Sequence, residues 1–262
     1  MTVPKIIFII PYRNREPQKC FFINYFNIIM EDWNKNDYEL VFSHQCDSRA
    51  FNRGGTKNIG FLAMKKKYPN NYKDITFIYH DIDVMPYCKN LIPYITTNGF
   101  VKHFYGYDYA LGGIISLTGH DFELLNGFPN YWGWGLEDNC LQKRCNKKNI
   151  NIDRKVFFNI GDKKILHLYD DKNKLYCDKN VNRYTEDHGI DGIKSITKLN
   201  YKIEDVTYNN INYTMVNIYS FEGIFKHLNS EIRNRSVLEG NNLNIKRYTK
   251  RYQMASIFNV TK

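Results

Sequence analysis

Several common features are missing from this chain of 262 residues. No run of residues is long and apolar enough to cross a bilayer or act as a secretory signal, which predicts a soluble, cytoplasmic protein, in the host cytoplasm if the chain comes from a virus. The six cysteines include no CxxC pair, which argues against a structural zinc site and favours reduced thiols. The absence of an internal repeat excludes a solenoid or other repeat array.

Positive charge exceeds negative charge. Lys and Arg number 37 against 27 Asp and Glu, so the net charge is +10. This excess favours anionic ligands such as nucleotide diphosphates, nucleic acid or acidic glycans, although a general effect on solubility explains it equally well. The basic residues are not interleaved regularly with aromatics and match no nucleic-acid-binding motif. No nucleic-acid partner is therefore expected.

Strand-like and helix-like segments alternate along the first third of the chain. Short β-branched runs at 5–10, 38–43 and 75–79 are separated by helical patterns at about 18–33 and 56–68. This alternation predicts an α/β, Rossmann-like fold with a mostly parallel open sheet and flanking helices. In such a sheet, ligands bind outside the carboxyl ends of the strands.

The rest of the chain gives weaker signals. We expect a strand at 112–117, a short helix capped by Thr118, a helix at 137–148 and a hairpin around 209–210. A hydrophobic content of 43% suits one globular domain with a sizeable core, which we place at residues 1–220. Residues 221–262 are polar and basic, and are expected to form a helical or tail-like C-terminal extension.

The eight residues from Tyr131 to Asp138 have the composition of a binding site. They include two tryptophans, two glycines and two adjacent acids, a combination that neither helix nor strand propensity selects. Glycine lets the backbone pass close to a ligand, indole offers a flat face to a sugar ring, and a carboxylate can take a proton from a hydroxyl. The segment predicts carbohydrate chemistry, although Glu137 also suits the first turn of an ordinary helix.

A second acidic motif, Asp81-Ile82-Asp83, follows a buried strand. Carboxylates at a strand end can bind a hard cation that neutralises a diphosphate leaving group. The pattern D-x-D arises by chance roughly once in a chain of this length. Its significance therefore depends on the strand before it and on the acids downstream.

Three further positions offer groups for the same ligand. Arg13 and Arg15 follow the first strand and can hold a pyrophosphate or a uracil carbonyl, unless they are simply exposed charges. Residues 52–55 precede a helix whose N-terminus favours phosphate, but a simple turn explains them equally well. His167 ends an apolar run, where a lone histidine is more often a core residue than a metal ligand.

The order of these motifs resembles the β-1,4-galactosyltransferase family, glycosyltransferase family 7. The likeness runs from about Lys5 to Tyr219. The matching segments are Phe8–Arg15, Phe51–Arg53, Asn58–Phe61, Asp81–Asp83, Gly112–Gly113, Asn126–Pro129, Trp132–Gly135, Glu137–Asp138 and Asp191–Ile193 with Ser195.

The resemblance implies a GT-A fold and an inverting, Mn²⁺-dependent transfer of a hexose from a UDP-sugar to a hydroxyl of a glycan acceptor, with β-linkage. By position it assigns the catalytic base to Asp138, the metal to Asp83 and His167, and a mobile lid to Trp134. The implied donor site comprises Pro11, Tyr12, Arg13, Arg15, Asp81, Ile82, Asp83, Lys102, Gly112, Gly113 and Trp134. The implied acceptor site comprises Tyr131, Trp134, Glu137, Asp138 and Asn139.

Three positions depart from the family pattern. Lys164 stands where the family has a methionine as third metal ligand, so Tyr169 or water would have to complete the metal shell. Asn139 interrupts the run of acids after the base, which leaves the acceptor sugar open. Ala110 stands where the family has a donor-selecting tyrosine, unless Tyr109 takes its place. The candidate donors are therefore UDP-Gal, UDP-GalNAc and UDP-GlcNAc.

The leading hypothesis from the sequence is a metal-dependent hexosyltransferase that acts on a glycan. The alternative is a non-catalytic carbohydrate- or nucleotide-binding module that kept the pocket and lost turnover, which Lys164 and Asn139 would allow.

Overall fold

The computed structural model describes residues 2–168, 173–209 and 211–236, which form thirteen strands and five α-helices. The strands are β1 Ile6–Tyr12, β2 Tyr38–Gln45, β3 Thr76–His80, β4 Val84–Pro86, β5 Phe100–Gly106, β6 Ile114–Thr118, β7 Asn151–Asp153, β8 Phe158–Asn159, β9 Ile165–His167, β10 Asn173–Cys177, β11 Thr197–Tyr208, β12 Ile211–Glu222 and β13 Ile232–Ser236. The helices are α1 Glu16–Ile29, α2 Arg53–Lys67, α3 Gly119–Leu124, α4 Glu137–Lys147 and α5 Asn180–Thr185.

A nine-stranded mixed sheet organises these elements. Its strand order is β11-β12-β2-β1-β3-β6-β5-β7, and β8 pairs with β5 as well. The neighbours β12, β2, β1 and β3 are parallel, whereas β6 runs antiparallel to both β3 and β5. The predicted α/β fold with a largely parallel sheet is confirmed.

The buried strand β1 separates two hydrophobic layers. Ile7 and Ile9 belong to one layer, and Ile6, Phe8 and Ile10 belong to the other. Successive side chains of a strand point to opposite faces, so a continuous apolar run needs cover on both. Helix α2 contributes to the first layer and α1 to the second, which places a helix on each face of the sheet.

The strand directions bring several polar segments to one edge of the sheet. β1 runs into Arg13, and the parallel strand β3 runs into Asp81. Because β6 is antiparallel to β3, its start lies beside the end of β3, and His80 pairs with Ile114. The N–H of Asp81 donates to the carbonyl of Gly113 at 2.9 Å. The edge expected to bind ligands therefore gathers segments from three strands.

Two helix boundaries differ from the expected ones. Helix α1 ends at Ile29 rather than near residue 33, and the chain then turns, with the N–H of Trp33 donating to the carbonyl of Met30 at 3.0 Å. Helix α2 begins at residue 53, three residues early, because the Asn52 side chain caps it by accepting a hydrogen bond from the N–H of Gly55. The predicted cap of α3 is confirmed, since Thr118 Oγ1 accepts from the N–H of Asp121.

The hairpin expected around 209–210 corresponds to the antiparallel pair β11 and β12. Residue 210 itself lies outside the described residues. No helix within the described ranges is long and apolar enough to cross a membrane.

Residues 221–236, which the sequence placed in the C-terminal extension, pack against the rest of the domain. Trp132 Nε1 donates to the carbonyl of Phe225 at 2.9 Å, and the N–H of Ala50 donates to His227 Nε2 at 3.0 Å. Strand β13 pairs with β10. Residues 237–262 lie outside the described residues, so the division of the chain at 220 stays a prediction.

Candidate active site

Arg53, the first residue of α2, joins the two acidic motifs. Its Nε donates to Asp81 Oδ1 at 3.1 Å, and its Nη1 donates at 2.7 Å both to Glu137 Oε1 and to Asp138 Oδ2. The guanidinium is almost buried, with 12% of the side chain exposed. Asp81, just after β3, and Glu137, at the start of α4, are 56 residues apart in the chain. They are therefore joined through the side chain of Arg53.

Asp138 is held on three sides. Its Oδ2 accepts from Arg53, and its Oδ1 lies 3.3 Å from Nζ of Lys57, a buried residue of α2. Gly112 lies against the same carboxylate, because a Cβ built on that glycine would be 2.4 Å from Asp138 Oδ2. The Asp138 side chain is still 19% exposed. The carboxylate is thus fixed in place but keeps one side open to a ligand.

Asp83 and His167 face each other beside a small two-stranded ribbon of β4 and β9. Val84 pairs with His167, and the N–H of Leu168 donates to the carbonyl of Asp83 at 2.7 Å. These contacts place His167 Nε2 3.9 Å from Asp83 Oδ2. The other ring nitrogen, Nδ1, lies 3.0 Å from the hydroxyl of Tyr105, which helps to orient the ring.

One imidazole and one carboxylate suit Mn²⁺, which takes nitrogen and oxygen ligands. Within the described ranges, no group of three or more His, Cys, Asp or Glu side chains could hold a metal ion. A third metal ligand must therefore be a group other than a His, Cys, Asp or Glu side chain of the described residues. Lys164, at the position of the family's third ligand, has its ammonium 5.6 Å from the centre of the Phe158 ring. Tyr169, the other expected contributor, lies outside the described residues.

Crowding of carboxylates shifts their ionisation. Burial, and then the charge of Asp81, raises the pKa of Asp83 to about 6. Burial and the neighbouring Asp138 charge raise the pKa of Glu137, whose Oε2 has no hydrogen-bond partner among the described residues. Burial also opposes ionisation of Asp81, but the charges of Arg53 and Lys57 outweigh it and lower the pKa of that acid. A desolvated carboxylate repelled by a neighbour is stabilised by a bound cation, so Asp83 fits a metal-ligand role.

Trp134 is displayed on a glycine-flanked turn. Its side chain is 46% exposed, and Gly133 and Gly135 on either side have φ values of +83° and +108°. The N–H of Trp134 donates to the carbonyl of Leu175 at 2.6 Å, and the indole meets the Tyr176 ring nearly at right angles, with centroids 5.2 Å apart. The turn therefore packs against β10, while the indole remains accessible to solvent.

Tyr131, one of the expected acceptor residues, is buried in this structure. Its side chain is only 2% exposed, and its ring packs against Phe225 rather than opening toward a ligand. Glu137 is also buried and reaches the site through Arg53. Asn139 is partly exposed and donates its side-chain amide to the carbonyl of Tyr109 at 3.2 Å. Among the expected acceptor residues, the exposed groups therefore come from positions 134, 138 and 139.

The expected donor residues of the first strand lie along the same edge of the sheet. Pro11 and Tyr12 form the buried end of β1. Arg13 donates from Nη1 to the carbonyl of Arg49, and partial burial is the main cause of the lowered pKa of Arg13. Arg15 is the N-cap residue of α1.

The remaining expected donor residues are distributed differently. Ile82 is 7% exposed, between the two acids of its motif, and Gly113 accepts the hydrogen bond from Asp81 described above. Lys102 pairs with Ser116 inside the sheet, and its ammonium donates to the carbonyl of Pro93 rather than to the acids. The structure therefore does not place Lys102 in the cluster around Arg53.

The two candidate donor-selecting positions also differ. Ala110 is 7% exposed, whereas Tyr109 is 50% exposed and stacks on Tyr107 with ring centroids 5.2 Å apart.

Sequence reasoning did not assign roles to Arg53 and Lys57, the two cations of the site. Residues 52–55 predict a helix N-terminus or a turn, and the resemblance through Phe51–Arg53 assigns no role to Arg53. A signal was nevertheless present, because a helix N-terminus disfavours cations, and α2 begins with basic residues and no acid in its first turn. Such an arrangement is stable when carboxylates from elsewhere compensate, as Asp81, Glu137 and Asp138 do here.

Two family models match the chain. The model described as the N-terminal region of glycosyl transferase group 7 matches residues 1–93, and the model described as the N-terminal domain of galactosyltransferase matches residues 93–169. Human β-1,4-galactosyltransferase 4 is 26% identical over 222 residues, 79% of this chain and 61% of its own length. Mouse β-1,4-galactosyltransferase 1 is 30% identical over 216 residues, 77% of this chain and 51% of its own length. The chain thus spans less than two thirds of these relatives.

A solved structure matches the fold. The catalytic domain of Drosophila β-1,4-galactosyltransferase 7, in complex with xylobiose, has a TM-score of 0.70 at 22% identity, covering 83% of this chain and 94% of that one. A mutant of the same Drosophila protein, in complex with manganese, UDP-Gal and xylobiose, has a TM-score of 0.69. These matches establish the GT-A fold. Since the two family models run without a gap from residue 1 to residue 169 and the relatives agree with them, this chain belongs to the β-1,4-galactosyltransferase family, glycosyltransferase family 7.

Proposed function

We propose that this chain is an inverting, metal-dependent glycosyltransferase that moves a hexose from a UDP-sugar to a hydroxyl of a glycan acceptor, forming a β-linkage. The observation that carries the proposal is the bridge made by Arg53, which brings Asp81, two residues before Asp83, next to Asp138. A transferase needs a diphosphate-binding group and a base within one site, and the contact supports this assignment because it joins the D-x-D motif to the proposed base.

Asp83 and His167 are the residues proposed to hold Mn²⁺. A carboxylate with a raised pKa and an imidazole 3.9 Å away form a donor pair that a divalent ion would stabilise. When bound, the ion would offset the negative charge that develops on the departing diphosphate. The Drosophila relative crystallised with manganese and UDP-Gal supports the same cofactor and class of donor here.

Asp138 is proposed as the base. The acceptor hydroxyl gives its proton to the carboxylate while its oxygen forms a bond to the anomeric carbon. On the opposite face, the bond from that carbon to the diphosphate oxygen breaks, and its electron pair leaves with UDP. One displacement inverts the configuration, so no covalent nucleophile is required. Arg53 and Lys57 keep the Asp138 side chain in one orientation.

The flanking residues are proposed to bind and enclose the donor. Arg13 and Arg15 lie at the end of β1, where planar guanidinium groups can hold the nucleotide. Trp134 would close over the donor and acceptor and exclude water that would otherwise hydrolyse the UDP-sugar. The small Ala110 at the donor-selecting position keeps UDP-GalNAc and UDP-GlcNAc beside UDP-Gal as candidate donors.

A screen of the three UDP-sugars tests the proposal. Purified protein should release UDP from at least one donor in the presence of Mn²⁺, and a chelator should stop the reaction. Calorimetric titration with UDP, with and without Mn²⁺, provides the second readout. Binding of sugars that is indifferent to both UDP and Mn²⁺, with no donor hydrolysis, would instead identify a non-catalytic binding module.

A cytoplasmic location is a separate proposal. All six cysteines are free thiols, three of them buried, which suits a reducing compartment. Fractionation of cells that express the tagged protein tests this location, and co-purification with membranes or secretion would contradict it.

A further inference from the structure

A polar groove runs along α4 beside the proposed base. It has a volume of about 420 Å³ and is lined by Tyr109, Asn139, Gln142, Lys143, Asn146, Lys147 and Tyr184. The five residues from α4 are spaced by three or four positions, so they share one face of the helix. This face starts at the residue after Asp138 and extends for about 12 Å, more than the width of one sugar ring.

The floor of the groove is connected to the catalytic centre. Gln142 Oε1 accepts a hydrogen bond from Arg154 Nη2 at 2.7 Å. The amide N–H₂ group of Gln142 takes no part in this bond. Arg154 Nε donates to His103 Nδ1 at 3.0 Å, and His103 Nε2 lies 3.2 Å from the carbonyl of Gly112. Gly112 is the residue that packs against the carboxylate of Asp138. Three hydrogen bonds and one packing contact therefore link a groove side chain to the proposed base.

The groove carries positive charge. Lys143 Nζ donates to the carbonyls of Tyr184 and Thr185 at 2.9 and 3.0 Å, and Lys147 Nζ donates to the carbonyl of Asp187 at 3.3 Å. An ammonium has three donors, so each lysine keeps at least one for a ligand. Carbonyls do not neutralise the charge, and none of the seven lining residues is acidic. An anion in this groove would make charge-assisted hydrogen bonds.

An aromatic surface stands at the end of the groove nearest the base. Tyr109 is half exposed and stacks on Tyr107, and its carbonyl accepts from the side chain of Asn139. Tyrosine offers an apolar face and a hydroxyl at low entropic cost, which suits a sugar ring.

We infer that the groove binds the second sugar unit of the acceptor and selects acceptors in which this unit carries a carboxylate or a phosphate. The inference rests on the proposed function, because the groove begins at Asn139, next to the proposed base, and offers a path for an acceptor whose hydroxyl reaches Asp138. Because the groove adjoins the proposed base, its occupant is expected to be part of the glycan acceptor. Because Lys143 and Lys147 line it, that part is expected to be negatively charged.

Calorimetric titration in the presence of UDP and Mn²⁺ tests the inference. The probes are a neutral monosaccharide, a neutral disaccharide, and the same disaccharide bearing either a uronic acid or a phosphate, prepared for N-acetylglucosamine and xylose series. We expect the acidic disaccharides to bind about tenfold more tightly than the neutral sugars, the gain from one charge-assisted hydrogen bond. The uronate and phosphate arms distinguish the two sources of charge.

Matched variants separate the groove from general charge. The double variant Lys143→Gln, Lys147→Gln should lose the preference for acidic sugars, whereas Lys148→Gln, which removes a charge at the end of the same helix outside this groove, should keep it. Because Lys143 also holds the carbonyls of α5, Asn146→Glu provides a second test at an exposed side chain and should weaken binding of acidic sugars selectively.

Equal affinity for acidic and neutral sugars, an equal loss in Lys148→Gln, or no saccharide binding would overturn the inference. Hydrolysis of UDP-sugar without acceptor, measured on the same preparation, distinguishes the two failures. If hydrolysis persists, only the groove assignment is wrong. If the wild-type protein neither hydrolyses any UDP-sugar nor binds UDP in a Mn²⁺-dependent way, the proposed function is wrong as well.

Discussion

Replacement of Arg53 with methionine should destabilise the protein strongly and in a pH-dependent way. The arginine is the common partner of Asp81, Glu137 and Asp138, and its side chain is 12% exposed. Methionine keeps much of the volume of the side chain but leaves three neighbouring carboxylates with Lys57 as the remaining cation of this cluster. Removal of one partner of a buried ion pair typically costs about 3–5 kcal/mol, and we expect a loss in this range.

The sign of the pH dependence follows from the three acids. In the wild-type protein the charges of Arg53 and Lys57 outweigh burial and lower the pKa of Asp81, so this acid stabilises the fold above its unfolded pKa and loses that contribution as the pH falls through its folded pKa. Without Arg53, burial remains as the main influence on Asp81 and Glu137 and raises the pKa of both acids. The variant should therefore be weakest at pH 7 and recover part of the deficit at pH 5.

Urea denaturation of wild type and variant at both pH values measures this effect. Arg183→Met is the matched control, because Arg183 is also 12% exposed but pairs with a single carboxylate, that of Glu231. The control should lose less stability and show little recovery at pH 5. A deficit of less than about 1 kcal/mol in Arg53→Met, or an equal deficit at both pH values, would refute the reasoning.

Three further predictions concern single positions. Gly112→Ala should lower the transfer rate about a hundredfold, because the new Cβ would displace the carboxylate of Asp138. Steady-state kinetics measure this rate. An unchanged rate would count against the placement of the base. Burial, and then the charge of Arg154, lowers the pKa of His103 to about 4, so the native state stays neutral while the unfolded chain takes up a proton near pH 6.5. Protonation of His103 in the unfolded chain should therefore lower the free energy of unfolding by about 2 kcal/mol between pH 7 and pH 5. In urea denaturation, the variant His103→Gln should lack this part of the pH dependence. Trp134→Ala should leave the melting temperature nearly unchanged, since the side chain is exposed, but should reduce transfer more than hydrolysis of the donor.

The main features of the fold could be predicted because local and tertiary preferences agree in the first part of the chain. The run from Ile6 to Ile10 is apolar at every position and is covered on both faces, as a central parallel strand requires. The antiparallel direction of β6 could not be predicted, because a buried strand has the same apolar composition in either direction. That direction matters, since it brings Gly113 next to Asp81.

The sequence points to some residues of the candidate site and not to others. Asp138 lies in a segment that carries glycine and acids at unusual density, and Asp83 belongs to a D-x-D motif after an apolar strand; a single sequence can reveal both patterns. The cations could not be found in this way, because the meeting of Arg53 with Glu137 depends on tertiary packing across 84 residues. The burial of the Tyr131 ring could not be predicted, because proximity in sequence to Trp134 does not determine which side of a turn a ring faces.

The central claim is that Asp138 removes the proton in a transfer reaction at the site that binds UDP. The variant Asp138→Asn, which keeps the size of the side chain and one acceptor oxygen but removes the negative charge, tests it most directly. Calorimetry should give an affinity for UDP with Mn²⁺ close to that of the wild type, while acceptor-dependent release of UDP should fall by about 10²–10⁴-fold, the usual contribution of a general base. Turnover retained within a few fold of the wild type would contradict the account.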